Sequence, residues 1–325
     1  MAISRAWVRR SRRFTLGGKV VMITGGSRGL GLALAREFAR RGSRIAVCAG
    51  NESELAKVRK EFEESGVPFT AFQCDVGNRA EIQRTVAMVE QHLGPIDVLV
   101  NNAGTMIIGP VENQDLEAFE DAMQTNFWGA VYATLAVSEG MKRRGAGRIV
   151  NIASIGGKVA FPHLLPYSAS KFALVGYSEG LRSELVKDNI FVTTACPGLM
   201  RAGNTRNDEF AGQQQKDYAW FAVSDSVPGI SMDVRKAARK IVNACVSGES
   251  EVRLGFTAKM ATLVQAIAPG VLSERLAKVS STMPKPGQAS FHPQKGPESR
   301  TAFDGSPLTK LTRGAEDSQN HLENR

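Results

Sequence analysis

Cysteine is scarce, and what there is does not cluster: Cys48, Cys74, Cys196 and Cys245 are the only four in 325 residues. They show no C-x-x-C and no Cys/His spacing, which argues against a disulfide framework and against a metal site. Three fall in apolar runs, where a reduced thiol packs as a small hydrophobe. No apolar run is long enough to span a bilayer. A secretory leader is not expected either, because Arg13 leads straight into Phe14-Thr15-Leu16 and two glycines instead of an apolar stretch. A cytoplasmic protein is the expectation. Acids are missing from the first thirteen residues, which hold Arg5, Arg9, Arg10, Arg12 and Arg13. These five account for most of the +9 net charge and leave +4 for the remainder, so the basicity belongs to an arm and not to the body of the protein.

A hydrophobic fraction of 42% in a chain of this length suits one large core. The reading is therefore an arm over 1–17, a catalytic domain over 18–257 with a lid at about 199–232, an apolar helical extension over 258–283 and a tail over 284–325. The tail holds five prolines and four glycines but no Ile, Val, Met, Trp or Tyr, a composition that predicts disorder.

Short apolar runs at Val20–Ile23, Ile45–Val47, Thr70–Cys74, Val98–Val100, Arg148–Ile152 and Phe191–Ala195 read as buried strands, with Glu251–Leu254 as a candidate for a last one. Amphipathic patterns between them, such as Leu32–Arg41, Ser53–Glu64, Glu81–His92, Leu116–Asn126 and Tyr167–Lys187, read as helices. Further helices are expected at Asp233–Cys245 and at Ala258–Val279, the latter broken at Pro269-Gly270. Strand alternating with helix predicts an α/β fold: a single doubly wound parallel sheet of Rossmann type, with helices on both faces.

The first strand runs into Thr24-Gly25-Gly26-Ser27-Arg28-Gly29-Leu30-Gly31 and then a helix. A tight strand-to-helix turn needs residues that accept positive φ, and a pyrophosphate on the N–H groups of a helix N-terminus tolerates no Cβ in its way. A glycine turn serving packing alone would look the same. The second strand ends Cys48-Ala49-Gly50-Asn51 without the carboxylate that usually holds the ribose hydroxyls of NAD. With Arg28 able to meet a 2′-phosphate, NADP(H) is favoured and NAD(H) stays open. Arg28 can equally cap a carbonyl or face solvent. Asp75, followed by Val76, can accept from an adenine amino group or cap a helix. Asn101-Asn102-Ala103-Gly104 closes the fourth strand, where small residues and amides can line an adenosine and steady the sheet.

Tyr167 and Lys171 are spaced to share a helix face. A phenol titrates near ~10; one cation at about 4 Å, at an effective dielectric of ~20, contributes about 4 kcal/mol, or roughly 3 pKa units. That is enough to bring tyrosine into working range as an acid/base. Tyr-x-x-x-Lys alone is weak, but Ser154 lies thirteen residues earlier, where its hydroxyl can serve a substrate oxygen that becomes negative. Asn126, read as ending the helix before that strand, can hold a water that returns protons to Lys171.

Thr24-Gly25-x-x-x-Gly29-x-Gly31, Asn101-Asn102-Ala103-Gly104, Asn126, Ser154, Tyr167-x-x-x-Lys171 and Pro197-Gly198, in this order, resemble the classical short-chain dehydrogenase/reductase family. The resemblance covers about Lys19 to Gly198. It implies that Tyr167 donates or accepts the proton, Ser154 stabilises the substrate oxygen, Lys171 binds the nicotinamide ribose, and Asn126 supports a proton relay. It also implies cofactor contacts at Gly25, Ser27, Arg28, Gly29, Leu30, Gly31, Asn51, Asp75, Val76, Asn102, Ala103, Gly104, Tyr167, Lys171, Pro197 and Gly198. NADP-preferring members often have arginine where this chain has Gly50. Many end in a strand with a glycine pair that builds a tetramer, whereas here Gly255-Phe256 leads into a helix. The expectation is a homodimer through the Asn126 and Tyr167 helices.

His163, among Phe161, Pro162, Leu164 and Leu165, reads as pocket-wall packing. That wall, with a lid cluster of Tyr218, Trp220, Phe221 and Val223, predicts a lipophilic carbonyl or alcohol as substrate. The arginine arm with Trp7 and Val8 reads first as solvated and mobile, and the helix near Met260–Leu272 as packing over the active site or a partner; weak membrane-surface contact is the alternative for both, and nucleic acid is not expected. The alternative function is an NADP-binding regulator without chemistry, but such proteins usually lose a catalytic position and this chain retains all four.

Overall fold

Seven segments form one parallel sheet in the computed structural model, which describes residues 13–201, 209–211, 231–286 and 294–295. They are β1 (Val20–Thr24), β2 (Arg44–Ala49), β3 (Phe69–Gln73), β4 (Ile96–Asn101), β5 (Gly147–Ile152), β6 (Ile190–Pro197) and β7 (Glu251–Leu254). Their spatial order is β7-β6-β5-β4-β1-β2-β3, and every neighbouring pair is parallel. β1, β5 and β6 are buried along their whole length. This is why they read as unbroken apolar runs: both faces of the sheet are covered.

Helices α1 (Gly29–Arg40), α2 (Glu52–Ser65) and α7 (Val234–Val246) cover one face, with Leu32, Phe38, Leu55 and Ile241 in its core. On the other face lie α3 (Arg79–Leu93), α5 (Gly129–Arg144) and α6 (Leu165–Leu185), packing Ile82, Val89, Ala133, Met141 and Leu185. α5 was not singled out in the sequence because its buried side is Gly129, Ala130, Ala133, Thr134, Val137, Ser138 and Met141, too small and mixed to form an apolar stripe. α4 (Leu116–Met123) does not end at Asn126 as expected. It passes through a π-helical turn, Gln124–Trp128, directly into α5. Such a widened turn often marks a functional position.

The C-terminal pattern resolves into α8 (Phe256–Ile267) and α9 (Pro269–Ser280), separated at Ala268 beside the expected Pro269-Gly270 break. The tail is not wholly apart from the fold. Gln294–Lys295 pairs antiparallel with Glu209–Phe210, which pairs in parallel with Ile107–Ile108. A short edge with unpaired backbone groups recruits whichever segment can reach it. The arginine arm up to residue 12, the lid cluster and the remainder of the tail lie outside the described residues, apart from 284–286. All four cysteines are free and buried. Among the described residues no helix is long and apolar enough to cross a membrane.

Candidate active site

The site lies at the carboxyl ends of β1 and β4, where the strand order reverses and a doubly wound sheet opens a crevice. Thr24 ends β1, and its Oγ1 accepts from the main-chain N–H groups of Asn102 (3.0 Å) and Ala103 (3.1 Å). Asn102 answers by donating Nδ2 to the carbonyls of Thr24 (3.1 Å) and Gly25 (2.9 Å). Asn101 steadies the sheet beneath by donating to Asn151 Oδ1 at 2.8 Å. Gly25 has φ +64°, and its N–H donates to the Cys48 carbonyl at 2.7 Å. A Cβ on Gly31 would stand 2.0 Å from the Gly25 carbonyl oxygen, so only glycine lets α1 begin this close to β1.

A cleft of about 530 Å³ opens above this turn. Every residue expected to contact the cofactor lines it except Gly198, so one continuous groove runs from the glycine turn to Tyr167 and Lys171. Gly198 instead donates its N–H to the Leu254 carbonyl (3.0 Å), and a Cβ there would meet Ala258 at 3.2 Å. Its role is close packing of β6 against β7 and α8. Gly104 shows how tightly the groove is cut, since a Cβ there would come within 2.7 Å of Asn126 Oδ1 and 3.3 Å of Lys171 Nζ. An elongated groove with a bare-backbone cradle at one end and an ammonium at the other fits a dinucleotide.

Tyr167 lies in the first turn of α6, which opens with Pro166. Lys171 is buried, donates to the Ile152 carbonyl at 3.0 Å and sits 5.7 Å from the centre of the Tyr167 ring. Burial pulls its pKa down to about 8, so it keeps its proton at neutral pH but holds it loosely. Ser154 follows β5, and its Oγ accepts from the Gly156 N–H at 3.0 Å. A Cβ on Gly156 would touch both Ser154 Oγ (3.4 Å) and Tyr167 Cε1 (3.1 Å), which places the two hydroxyl-bearing residues on either side of that glycine. Asn126 is buried behind the groove. Its Oδ1 accepts from Thr105 N (2.9 Å), and its Nδ2 donates to Thr105 O (3.0 Å) and Ser170 Oγ (2.9 Å). Ser170 Oγ in turn donates to the Tyr167 carbonyl at 2.8 Å. The π-turn thus aims Asn126 inward, where a helix end would have left it at a terminus.

Two alternative readings fall away. Arg28 neither caps a carbonyl nor stands free: its Nη1 pairs with Glu54 Oε1 at 2.6 Å, while Ser27 Oγ donates to Glu54 Oε2 at 2.7 Å. Asp75 is not a helix cap, since that place belongs to Asn78, whose side chain accepts from the N–H groups of Ala80 and Glu81. Asp75 lines the cleft wall instead, with Oδ1 accepting from Gly77 N at 2.9 Å.

Sequence reasoning missed Glu54, Thr105, Met106, Ala153 and Met200 in the lining. Glu54 carried a signal, because an acid three residues after the capping Asn51 belongs to the first turn of α2, beside the end of β2. His163 is buried at φ +63°, and its carbonyl accepts from Gly109 N at 2.9 Å. It holds the wall, as expected of a packing residue.

The family profile described as short chain dehydrogenase matches residues 19–213. A putative ketoacyl reductase of Streptomyces coelicolor is 42% identical over 188 residues, covering 57% of this chain and 72% of that protein. The 3-dehydrosphinganine reductase of Danio rerio is 36% identical over 232 residues, covering 66% and 70%. Among solved structures, a variant of actinorhodin polyketide ketoreductase with NADPH superposes with a TM-score of 0.65 at 34% identity, covering 73% of this chain and 96% of that one. With its seven-stranded sheet and glycine-cradled groove, the chain belongs to the short-chain dehydrogenase family, oxidoreductases that move a hydride between a nicotinamide dinucleotide and a carbonyl or alcohol.

Proposed function

We propose that this chain is an NADP(H)-dependent reductase of a lipophilic ketone or aldehyde, reversible to the alcohol, working as a homodimer in the cytoplasm. The observation that carries the reading is the single groove joining the Gly25–Gly31 cradle to Tyr167 and Lys171. Bound cofactor supplies the hydride. Tyr167 passes its phenolic proton to the substrate oxygen as negative charge develops there, and Ser154 donates a hydrogen bond to the same oxygen. Lys171, cationic below about pH 8, holds the nicotinamide ribose and favours the phenolate left behind. Asn126 holds the Thr105 backbone and the Ser170 hydroxyl in place beside them and so orders the route for the returning proton.

The lipophilic substrate is supported by the apolar wall beside Tyr167, built from Ile108, Leu164, Phe210 and Met283 with Met106 and Phe161 packed on it. Two relatives named as ketoacyl and dehydrosphinganine reductases are in keeping with this. The dimer is supported by apolar side chains left open on α5, α6 and the π-turn: Trp128, Leu135 and Phe172 are 41%, 58% and 43% exposed. Weak contact with a membrane surface is supported by α8, which buries Ala258 and Thr262 but shows Phe256, Met260, Leu263 and Ile267 along one exposed stripe. Flotation of the full chain and of one starting at Phe14 with anionic liposomes tests the share of the arginine arm.

Fluorescence titration with NADPH and NADH, followed by oxidation of the tighter one across ketones graded in chain length, tests the main reading. Turnover that rises with chain length and falls by about a thousandfold or more in Tyr167→Phe is the expected result. Binding without turnover of any carbonyl would favour a cofactor-binding regulator. No binding of either nucleotide would overturn the reading.

A further inference from the structure

Glu54 closes the ribose end of the groove with a negative charge that the end of β2 does not carry. The lining holds four charged residues: Arg28, Glu54, Asp75 and Lys171. Lys171 belongs with Tyr167 at the far end. Among the described residues that line the Ala49-Gly50-Asn51 end, the cation is Arg28, and Glu54 holds it at 2.6 Å while taking a second bond from Ser27 Oγ at 2.7 Å. The main chain that carries it is held as well, since Glu54 N donates to the Asn51 side chain that caps α2. It is largely shielded, with 21% of its side chain exposed against 39% for Arg28.

We infer that Glu54 sets the cofactor selectivity of this enzyme by competing with the 2′-phosphate of NADP(H) for Arg28. The inference rests on the NADP(H) reading above and adds to it a carboxylate that limits the preference. A 2′-phosphate entering here meets a guanidinium already neutralised and a carboxylate that repels it, so part of the phosphate–arginine attraction is spent in separating Arg28 from Glu54. NAD(H) lacks that phosphate, leaves the pair intact and can present its 2′-hydroxyl to the carboxylate. The chain therefore takes both nucleotides, with a preference for NADP(H) smaller than a free arginine would give. A carboxylate at the end of β2 would exclude NADP(H); one on the first turn of α2, tied to the arginine, weakens its hold without excluding it.

The test is a fluorescence titration of the full chain with NADPH and NADH, for wild type, Glu54→Gln, Arg28→Ala and the double variant, with 2′,5′-ADP and 5′-AMP as competitors. Glu54→Gln is expected to tighten NADPH and 2′,5′-ADP by about tenfold, with NADH and 5′-AMP unchanged or weaker. In the Arg28→Ala background the same change is expected to alter the NADPH-to-NADH ratio by much less, because the contested cation is gone. A merely structural Glu54 would weaken all four ligands together in Glu54→Gln, and that outcome, or an unchanged ratio, would overturn the inference while leaving the oxidoreductase reading intact. Wild type that binds neither nucleotide would sink both. If Glu54→Gln folds poorly, Glu54→Asp provides the second measurement: a shorter carboxylate that lets go of Arg28 is expected to move the ratio in the same direction.

Discussion

Asn126 and Thr105 are tied to each other twice: the amide oxygen accepts from the threonine N–H at 2.9 Å, and the amide nitrogen donates to the threonine carbonyl at 3.0 Å. A third bond, to Ser170 Oγ, links this clasp to the helix that carries Tyr167 and Lys171. The asparagine thus connects the loop after β4, the π-turn and α6, three elements distant in sequence.

Asn126→Asp keeps the acceptor and loses both donor bonds, leaving a buried carbonyl unpaired and a carboxylate against it. A stability loss of about 2–3 kcal/mol in urea melts is expected, with a fall in kcat beyond what the unfolded fraction explains. Unchanged kcat in the folded fraction would remove Asn126 from the machinery.

Lys171→Met tests burial of the ammonium. The folded pKa, about 8, lies below the ordinary lysine value of 10.5, so the wild-type protein carries a desolvation penalty in full below pH 8. The penalty fades as pH rises from 8 to 10.5, where the unfolded chain loses the proton too. Nucleotide-free Lys171→Met is therefore expected to melt higher than wild type at pH 7, by about 2 kcal/mol after the lost bond to Ile152 is discounted. The gain should shrink towards pH 10; a gain that does not depend on pH would contradict the penalty.

Gly31→Ala and Gly180→Ala make a matched pair. The first puts a methyl 2.0 Å from the Gly25 carbonyl oxygen; the second, on α6, meets nothing within 4 Å. Gly31→Ala is expected to abolish nucleotide binding and to cost about 3 kcal/mol or more, whereas Gly180→Ala should stabilise by up to about 1 kcal/mol. Calorimetry with and without NADPH reads both.

Leu135→Asp combined with Phe172→Asp places two charges on the exposed apolar face of α5 and α6. Light scattering is expected to show a dimer for wild type and a monomer for the variant, with nucleotide binding retained. A wild-type monomer would overturn the homodimer.

The strands were legible because full burial removes the polar alternation that other strands show, and Val20–Thr24 or Ile190–Pro197 can be little else. The glycine turn was legible for a steric reason that stays local, since Gly25 and Gly31 face each other across six residues. The ends were harder. α5 hid behind Gly129, Ala133 and Ser138, and Gln294–Lys295 pairs through backbone groups that any side chain can carry.

The sequence by itself determined the order of strands and helices, the cradle of glycines and the helical spacing of Tyr167 and Lys171, because each depends on residues within one or two turns of one another. Tertiary structure decided the rest: that Gly198 packs under α8 instead of lining the groove, that Asn126 sits in a π-turn clasping Thr105, and that Arg28 is held by Glu54. These outcomes depend on which charges and amides meet across elements 21 to 60 residues apart. A side chain buried at a junction takes whichever partner the packing brings within about 3 Å, and local pattern carries no record of that choice.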